Sequence, residues 1–272
     1  KGEDGGILLE SFTGGTRRNV VPEQAAAVLV FPSREELDQG KAALIEAGTA
    51  GIQVQELAET NKLKVVATGV SAHGSTPEQG DNAITKLAQA LTALNKQDGA
   101  WKSVDFIRDG LGRETDGQRM GIACQDEVSG ALTLNLGLIK IEDGKVEMEM
   151  DIRTPHCADF ERMKEKIAAK LESYDLNITA SSNLLPHYLP EASWLVQTLL
   201  RVYREETGDL AKPVATGGRT YAMTLGNGVA FGPVFPGQAE TAHQKDEYIA
   251  VDDLLTCTRI YAKALYELAR EE

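Results

Sequence analysis

Two alternating apolar runs meet at Asp143-Gly144. Leu132 to Ile141 alternates into the pair, and Lys145 to Ile152 returns with Val146, Met148, Met150 and Ile152 on one face. A two-residue connection of this kind favours a type I′ turn, whose central residues both need positive φ, and Asp-Gly supplies them at low steric cost. The stretch is therefore committed to an antiparallel hairpin with one apolar face, which the rest of the chain has to cover.

The neighbouring patterns supply candidates for that cover. Residues 7 to 13, 24 to 31, 52 to 57 and 62 to 70 read as strands. Ser33-Arg34-Glu35-Glu36 opens a helix with a capping-box signature and Gly48 marks its end. Asn82 to Leu94 carries Ile84, Leu87, Leu91 and Leu94 on one helical face. Residues 98 to 129 show no regular period. Phe160 to Tyr174 is an amphipathic helix, and Leu176 to Ala180 reads as a short strand. Alternation of strand-like and helix-like segments indicates an α/β or α+β architecture. From 62 to 182 the order is βαββαβ with an insertion, the arrangement of a ferredoxin-like unit. Two prolines in Leu185-Pro186-His187-Tyr188-Leu189-Pro190 mark a boundary. Beyond it, Trp194 to Glu206 and Val251 to Arg270 read as helices, with a glycine-rich stretch and short strands at 212 to 238 between them. That region is short for an independent domain and reads as the end of a larger one.

Composition excludes several classes. The chain has 272 residues, 42% hydrophobic and 25% charged, as in a globular protein. A net charge of −13 disfavours nucleic acid as a partner. The longest apolar run, Gln24 to Phe31, is far shorter than the roughly 20 residues that span a bilayer. No signal-peptide pattern opens the chain, which starts at Lys1 without Met, so a leader further upstream stays open. Cys124, Cys157 and Cys257 share no CxxC spacing. They indicate neither a disulfide framework nor a thiolate metal site, and read as buried small hydrophobes in a reducing, cytoplasmic setting.

Few residues carry chemistry. His243 lies in a polar segment after a glycine-rich loop with carboxylates at Asp246 and Glu247, and reads as a metal ligand or as an exposed His beside a helix start. His73 sits between a strand and a helix, where it could donate to an oxyanion or bond within its own turn. Arg153 ends a strand and could grip a carboxylate or form a surface ion pair. Thr216-Gly217-Gly218-Arg219-Thr220 could offer backbone N–H groups to an anion, without the spacing of a nucleotide loop. His156 and His187, each beside a proline, read as structural.

At these residues the sequence resembles the M20 metallopeptidases. Ser71 to Pro77 with Gly80-Asp81-Asn82-Ala83 is similar to the lid-domain histidine motif of that family, and Asp151 to Pro155 to its lid arginine strand. Gly217 to Tyr221, Asn227 to Pro233 and Glu240 to Tyr248 resemble the catalytic-domain tail of the bacterial PepV-type dipeptidases, and Thr13 to Pro22 the opening of their enlarged lid. The resemblance implies a lid of ferredoxin-like units over the C-terminal portion of a zinc-peptidase-type α/β catalytic domain. Residues 1–6 would be the connection from that domain, 7–185 the lid, and 186–272 the catalytic tail. It further implies two zinc ions, a dipeptide substrate, His243 as the last zinc ligand and His73 as oxyanion donor. Arg153, Gly217 and Gly218 would hold the substrate carboxylate, with Asn19 as a further lid contact.

The family's HxD motif, Glu-Glu pair and further Asp have no match in these residues. The expectation is that they lie upstream, in an N-terminal catalytic portion that would be this chain's partner, and that the chain alone is inactive. Two other readings stay open: an M20-type amino-acid deacylase, and a non-catalytic binding protein that retains the lid.

Overall fold

A computed structural model describes residues 6–58, 60–94, 100–183, 187–216, 218–238 and 246–270. The chain divides into two compact units, residues 1–184 and 185–272.

The first unit is built on a six-stranded antiparallel sheet in the order β3-β4-β2-β1-β7-β8. Its strands are β1 (Leu8–Gly14), β2 (Gln24–Val30), β3 (Ile52–Leu57), β4 (Lys62–Thr68), β7 (Thr133–Glu142) and β8 (Lys145–Arg153). A two-residue ladder, β5 (Gln125–Asp126) with β6 (Gly130–Ala131), stands apart. The β7–β8 hairpin forms as the sequence predicts: Asp143 has φ 51° and Gly144 φ 71°, both positive as a type I′ turn demands.

One face of the sheet is covered by α1 (Arg34–Glu46), α2 (Ala83–Ala90), α3 (Trp101–Asp105) and α4 (Phe160–Glu172). Ser33 caps α1, its hydroxyl accepting the Glu36 N–H at 3.2 Å. Asn82 caps α2 by accepting the Ile84 and Thr85 N–H groups. Phe12, Leu29, Leu63, Ile84 and Leu87 are fully buried between sheet and helices.

Three expectations are corrected. Residues 98 to 129 are not uniformly irregular, because α3 runs on into a π-helical turn, Phe106–Leu111. Burial of Trp101, Phe106 and Ile107 accounts for this helix better than any sequence period. Residues 176–180 form no strand; Leu176 and Ile178 pack on the core without a ladder partner. β2 and β1 also stand between β4 and β7, so the 62–182 segment is interleaved with strands from residues 7 to 30.

The second unit contains α5 (Trp194–Thr207) and α6 (Val251–Ala269). Their buried contact is small: Leu199, Val202, Ile260 and Ala264, with Leu195, Tyr203, Phe231 and Tyr261 against them. Polar bonds add to it, including Arg201 to Glu267 at 2.7 Å and the Tyr261 hydroxyl to the Phe231 carbonyl at 3.0 Å. Ser193 caps α5 and Gly208, at φ 70°, ends it. Among the described residues of 212 to 238 the expected strands do not form; the regular element there is a 3₁₀ turn, Tyr221–Thr224.

Candidate functional site

The geometry starts at a bulge. Between Leu136 and Leu138 the β7–β8 register shifts, leaving Gly137 unpaired. A Cβ at Gly137 would sit 2.2 Å from the Arg18 carbonyl oxygen, so only glycine lets the 15–22 connection lie across the strand here. Asn135, buried next to the bulge, secures that connection by donating from Nδ2 to the Arg18 and Val20 carbonyls, both at 3.0 Å. Its Oδ1 accepts from Asn82 Nδ2 at 3.3 Å, which ties the connection to the start of α2.

Asn19 is thereby held at the surface with its carbonyl turned to the histidine loop. It accepts the Gly74 N–H at 2.8 Å, Val21 N–H bonds the Ala72 carbonyl at 2.8 Å, and Val20 bridges His73. His73 is exposed at the turn, with Ser75 Oγ 2.6 Å from Nδ1 and the Ser75 N–H directed at the same nitrogen at 3.4 Å. A backbone N–H can only donate, so Nδ1 accepts and Nε2 carries the hydrogen. In that tautomer His73 presents its Nε2–H as a donor.

Arg153 reaches the same place from β8. Its Nε donates to Asp151 Oδ2 at 3.0 Å, and both side chains are 21% exposed. That carboxylate oxygen lies 2.7 Å from where a Gly74 Cβ would be, so the Arg153–Asp151 pair packs against the histidine loop. Thr133, paired with Arg153 in the hairpin, donates to the Gly74 carbonyl at 3.4 Å. Asn19, His73 and Arg153 therefore share one end of the sheet, on the face opposite the helices. A cavity of about 380 Å³ lies on the flank of the loop, lined by Pro77, Asp81, Asn82, Arg113 and Asn135 among others. Lys86 is nearly buried behind it, bonded to Asp81 at 2.5 Å and to the Thr68 carbonyl at 2.7 Å.

The other expected residues belong to the second unit. Gly218 is exposed, and its N–H donates to Thr216 Oγ1 at 3.1 Å, a bond that a carboxylate would have to replace. Gly217 and His243 lie outside the described residues. His187 bonds the Gly228 carbonyl through Nε2, as a structural histidine would. Among the described residues no group of three or more His, Cys, Asp and Glu side chains could hold a metal. Zn²⁺ takes at least three protein ligands, so the described residues do not by themselves fit a zinc site.

Asp151, Thr133 and Asn135 escaped the sequence reading. The bonds of Thr133 and Asn135 reach 53 to 117 residues along the chain, Asp151 stands two residues from Arg153 on the same strand face, and the one local signal was the glycine inside an otherwise alternating strand.

Residues 60–179, from the edge of β4 to the segment after α4, match the family described as the M20 peptidase dimerisation domain. Over these residues the chain is similar to that domain. Its relatives extend the likeness well beyond those residues. The chain is 36% identical to a Bacillus subtilis (strain 168) protein named "putative dipeptidase YtjP" over 264 residues, covering 97% of this chain and 56% of that one. It is 32% identical to a "putative dipeptidase" of Staphylococcus aureus (strain USA300) over 266 residues, again 97% of this chain and 56% of the other. The chain thus spans just over half the length of these relatives. The histidine loop and the arginine strand both fall inside the matched residues, whereas Asn19 precedes them. Among the described residues no helix is long and apolar enough to cross a membrane.

Proposed function

We propose that this chain is the lid and the C-terminal catalytic portion of a cytoplasmic, zinc-dependent dipeptidase of the PepV type. In this reading residues 7–185, the lid, carry His73, Arg153 and Asn19, and residues 186–272 supply Gly217, Gly218 and His243. Two zinc ions would be held by His243 and by ligands from the rest of the parent protein. The chain alone is then inactive. The dipeptidase names of the relatives support the substrate class.

The observation that carries the proposal is the convergence of Asn19, His73 and Arg153, from three separate segments, on one open end of the sheet. Peptide hydrolysis turns a neutral carbonyl into an oxyanion, and a neutral imidazole with hydrogen on Nε2 can donate to it without adding a full positive charge. The guanidinium of Arg153 is planar and can grip the C-terminal carboxylate of a dipeptide. Asp151, bonded to its Nε, limits rotation of that side chain. Asp151 is therefore a positioning residue in this scheme.

The test is His73→Ala in the parent enzyme. A donor to charge that exists only in the transition state should lower kcat by about 10²–10³ and leave KM nearly unchanged. Arg153→Lys, which keeps the charge and loses the fork, should act mainly on KM for free dipeptides and little on dipeptide amides. Wild-type kcat in the His73 variant on a good dipeptide would end the oxyanion assignment. Turnover of N-acyl amino acids in preference to dipeptides would replace dipeptidase by deacylase.

A further inference from the structure

The three cysteines do not share one environment. Cys257 is buried, Cys124 is half-buried and Cys157 is exposed, so only the first fits the sequence expectation of a buried small hydrophobe. Cys124 and Cys157 come from distant parts of the first unit, and the Cys157 thiol lies against the carbonyl of Gln125, the residue that follows Cys124. Both line a cavity of about 230 Å³ with Ile122, Asp159, Arg162 and Lys166.

A carboxylate holds them there. Asp126 accepts the Val128 and Ser129 N–H groups and the Ser129 hydroxyl, closing the β5–β6 turn. Its second oxygen accepts the Cys157 N–H at 3.1 Å, while Cys157 Sγ points at the Gln125 carbonyl at 3.6 Å. Next to it, the His156 N–H bonds Ser129 Oγ at 2.8 Å. These bonds draw the β8–α4 connection onto the residue that follows Cys124. They also hold the Asp126 carboxyl far below the usual carboxylate range, with the Ser129 donors the largest cause.

We propose that Cys124 and Cys157 form a reversible dithiol–disulfide pair, oxidised by a low-molecular-weight disulfide. The order of events follows from exposure. Cys157, open to solvent, attacks one sulfur of the oxidant as its thiolate; a mixed disulfide forms and one small thiolate leaves. Cys124 then loses its proton and attacks Cys157 Sγ, forming the protein S–S bond and expelling the second small thiolate. Two protein thiols are oxidised, the two protons they lose pass through solvent to the two small thiolates, and the small disulfide is thereby reduced to two thiols. Burial raises the Cys124 thiol above its ordinary pKa and the Asp126 charge adds to this, while Lys166 opposes it. Cys124 therefore suits the second, intramolecular step, where proximity offsets a low thiolate fraction. The pair stands independently of the peptidase reading.

The experiment uses the chain as it is, incubated with oxidised glutathione, quenched by alkylation and digested for mass spectrometry. The expected result is an intact mass lower by two hydrogens and a peptide pair linked through Cys124 and Cys157, both reversed by dithiothreitol. Cys124→Ser should instead accumulate the glutathione mixed disulfide at Cys157, and Cys257 should stay reduced in every sample. Wild-type chain that keeps glutathione on Cys157 without linkage, links Cys257, or stays fully reduced overturns the proposal.

Discussion

The two units meet the problem of burying apolar surface in opposite ways. The first closes over Trp101, Phe12, Phe106 and the alternate residues of β1, β2, β4 and β7, and even the covered part of its other face is lined by satisfied polar groups around Asn135. Among its described residues the second buries seven side chains, on α5 and α6, and leaves large ones in water: Tyr221 is 93% exposed, Val214 90% and Leu265 69%. Scattered exposed apolar residues are ordinary, but Leu254, Leu255, Leu265 and Tyr266 on a single helix are a surface suited to cover. In the dipeptidase reading that cover is the remainder of the catalytic domain. The difference teaches that sequence of one composition can hold a self-sufficient core and a dependent one side by side.

Hydrogen exchange on the whole chain gives the largest contrast. Amides of the β1–β7–β8 ladders should exchange only with global unfolding of their unit, whereas those of α6 should exchange through local opening and be faster by orders of magnitude. Equal protection in both regions of a monomeric sample would mean that the second unit has a sufficient core, and the comparison would fail.

Single substitutions sharpen the same point. Trp101 is 2% exposed and its Nε1 donates to the Ile7 carbonyl at 2.8 Å, so Trp101→Ala should cost about 3–5 kcal/mol. Leu265→Ala should change stability by no more than about 0.5 kcal/mol. Urea titrations of the two variants, read by circular dichroism, test the pair; similar losses would contradict the assigned burial. Between these extremes, Asn135→Ala leaves the Arg18 and Val20 carbonyls without their donor, an expected loss of about 1–3 kcal/mol. A melt at wild-type temperature for that variant would show that the 15–22 connection does not depend on Asn135.

What the sequence revealed follows the same division. Local chemistry was legible: the Asp143-Gly144 turn, the Ser33 cap and the α2 face all rest on contacts within a few residues. The places of His73 and Arg153 in the fold were legible because each stands at the end of a readable element. α3 was not, since it is short, has glycines at 110 and 112 beyond it, and is held by burial of Trp101. The strands expected at 212 to 238 had residues of the right kind, and the described residues of the second unit hold no strand to pair with. The thiols were misjudged because one carboxylate, Asp126, decides where Cys157 lies, and no spacing rule announces it.

The distribution of indole side chains gives the molecule two built-in optical probes. The chain holds two tryptophans, Trp101 in the first unit and Trp194, 58% exposed, at the start of α5 in the second. Their emission should separate into a blue component shielded from iodide and a red one open to it. Whatever surface comes to lie over the start of α5 would shift the red component and leave the blue one unchanged, so light alone would report when the second unit is covered.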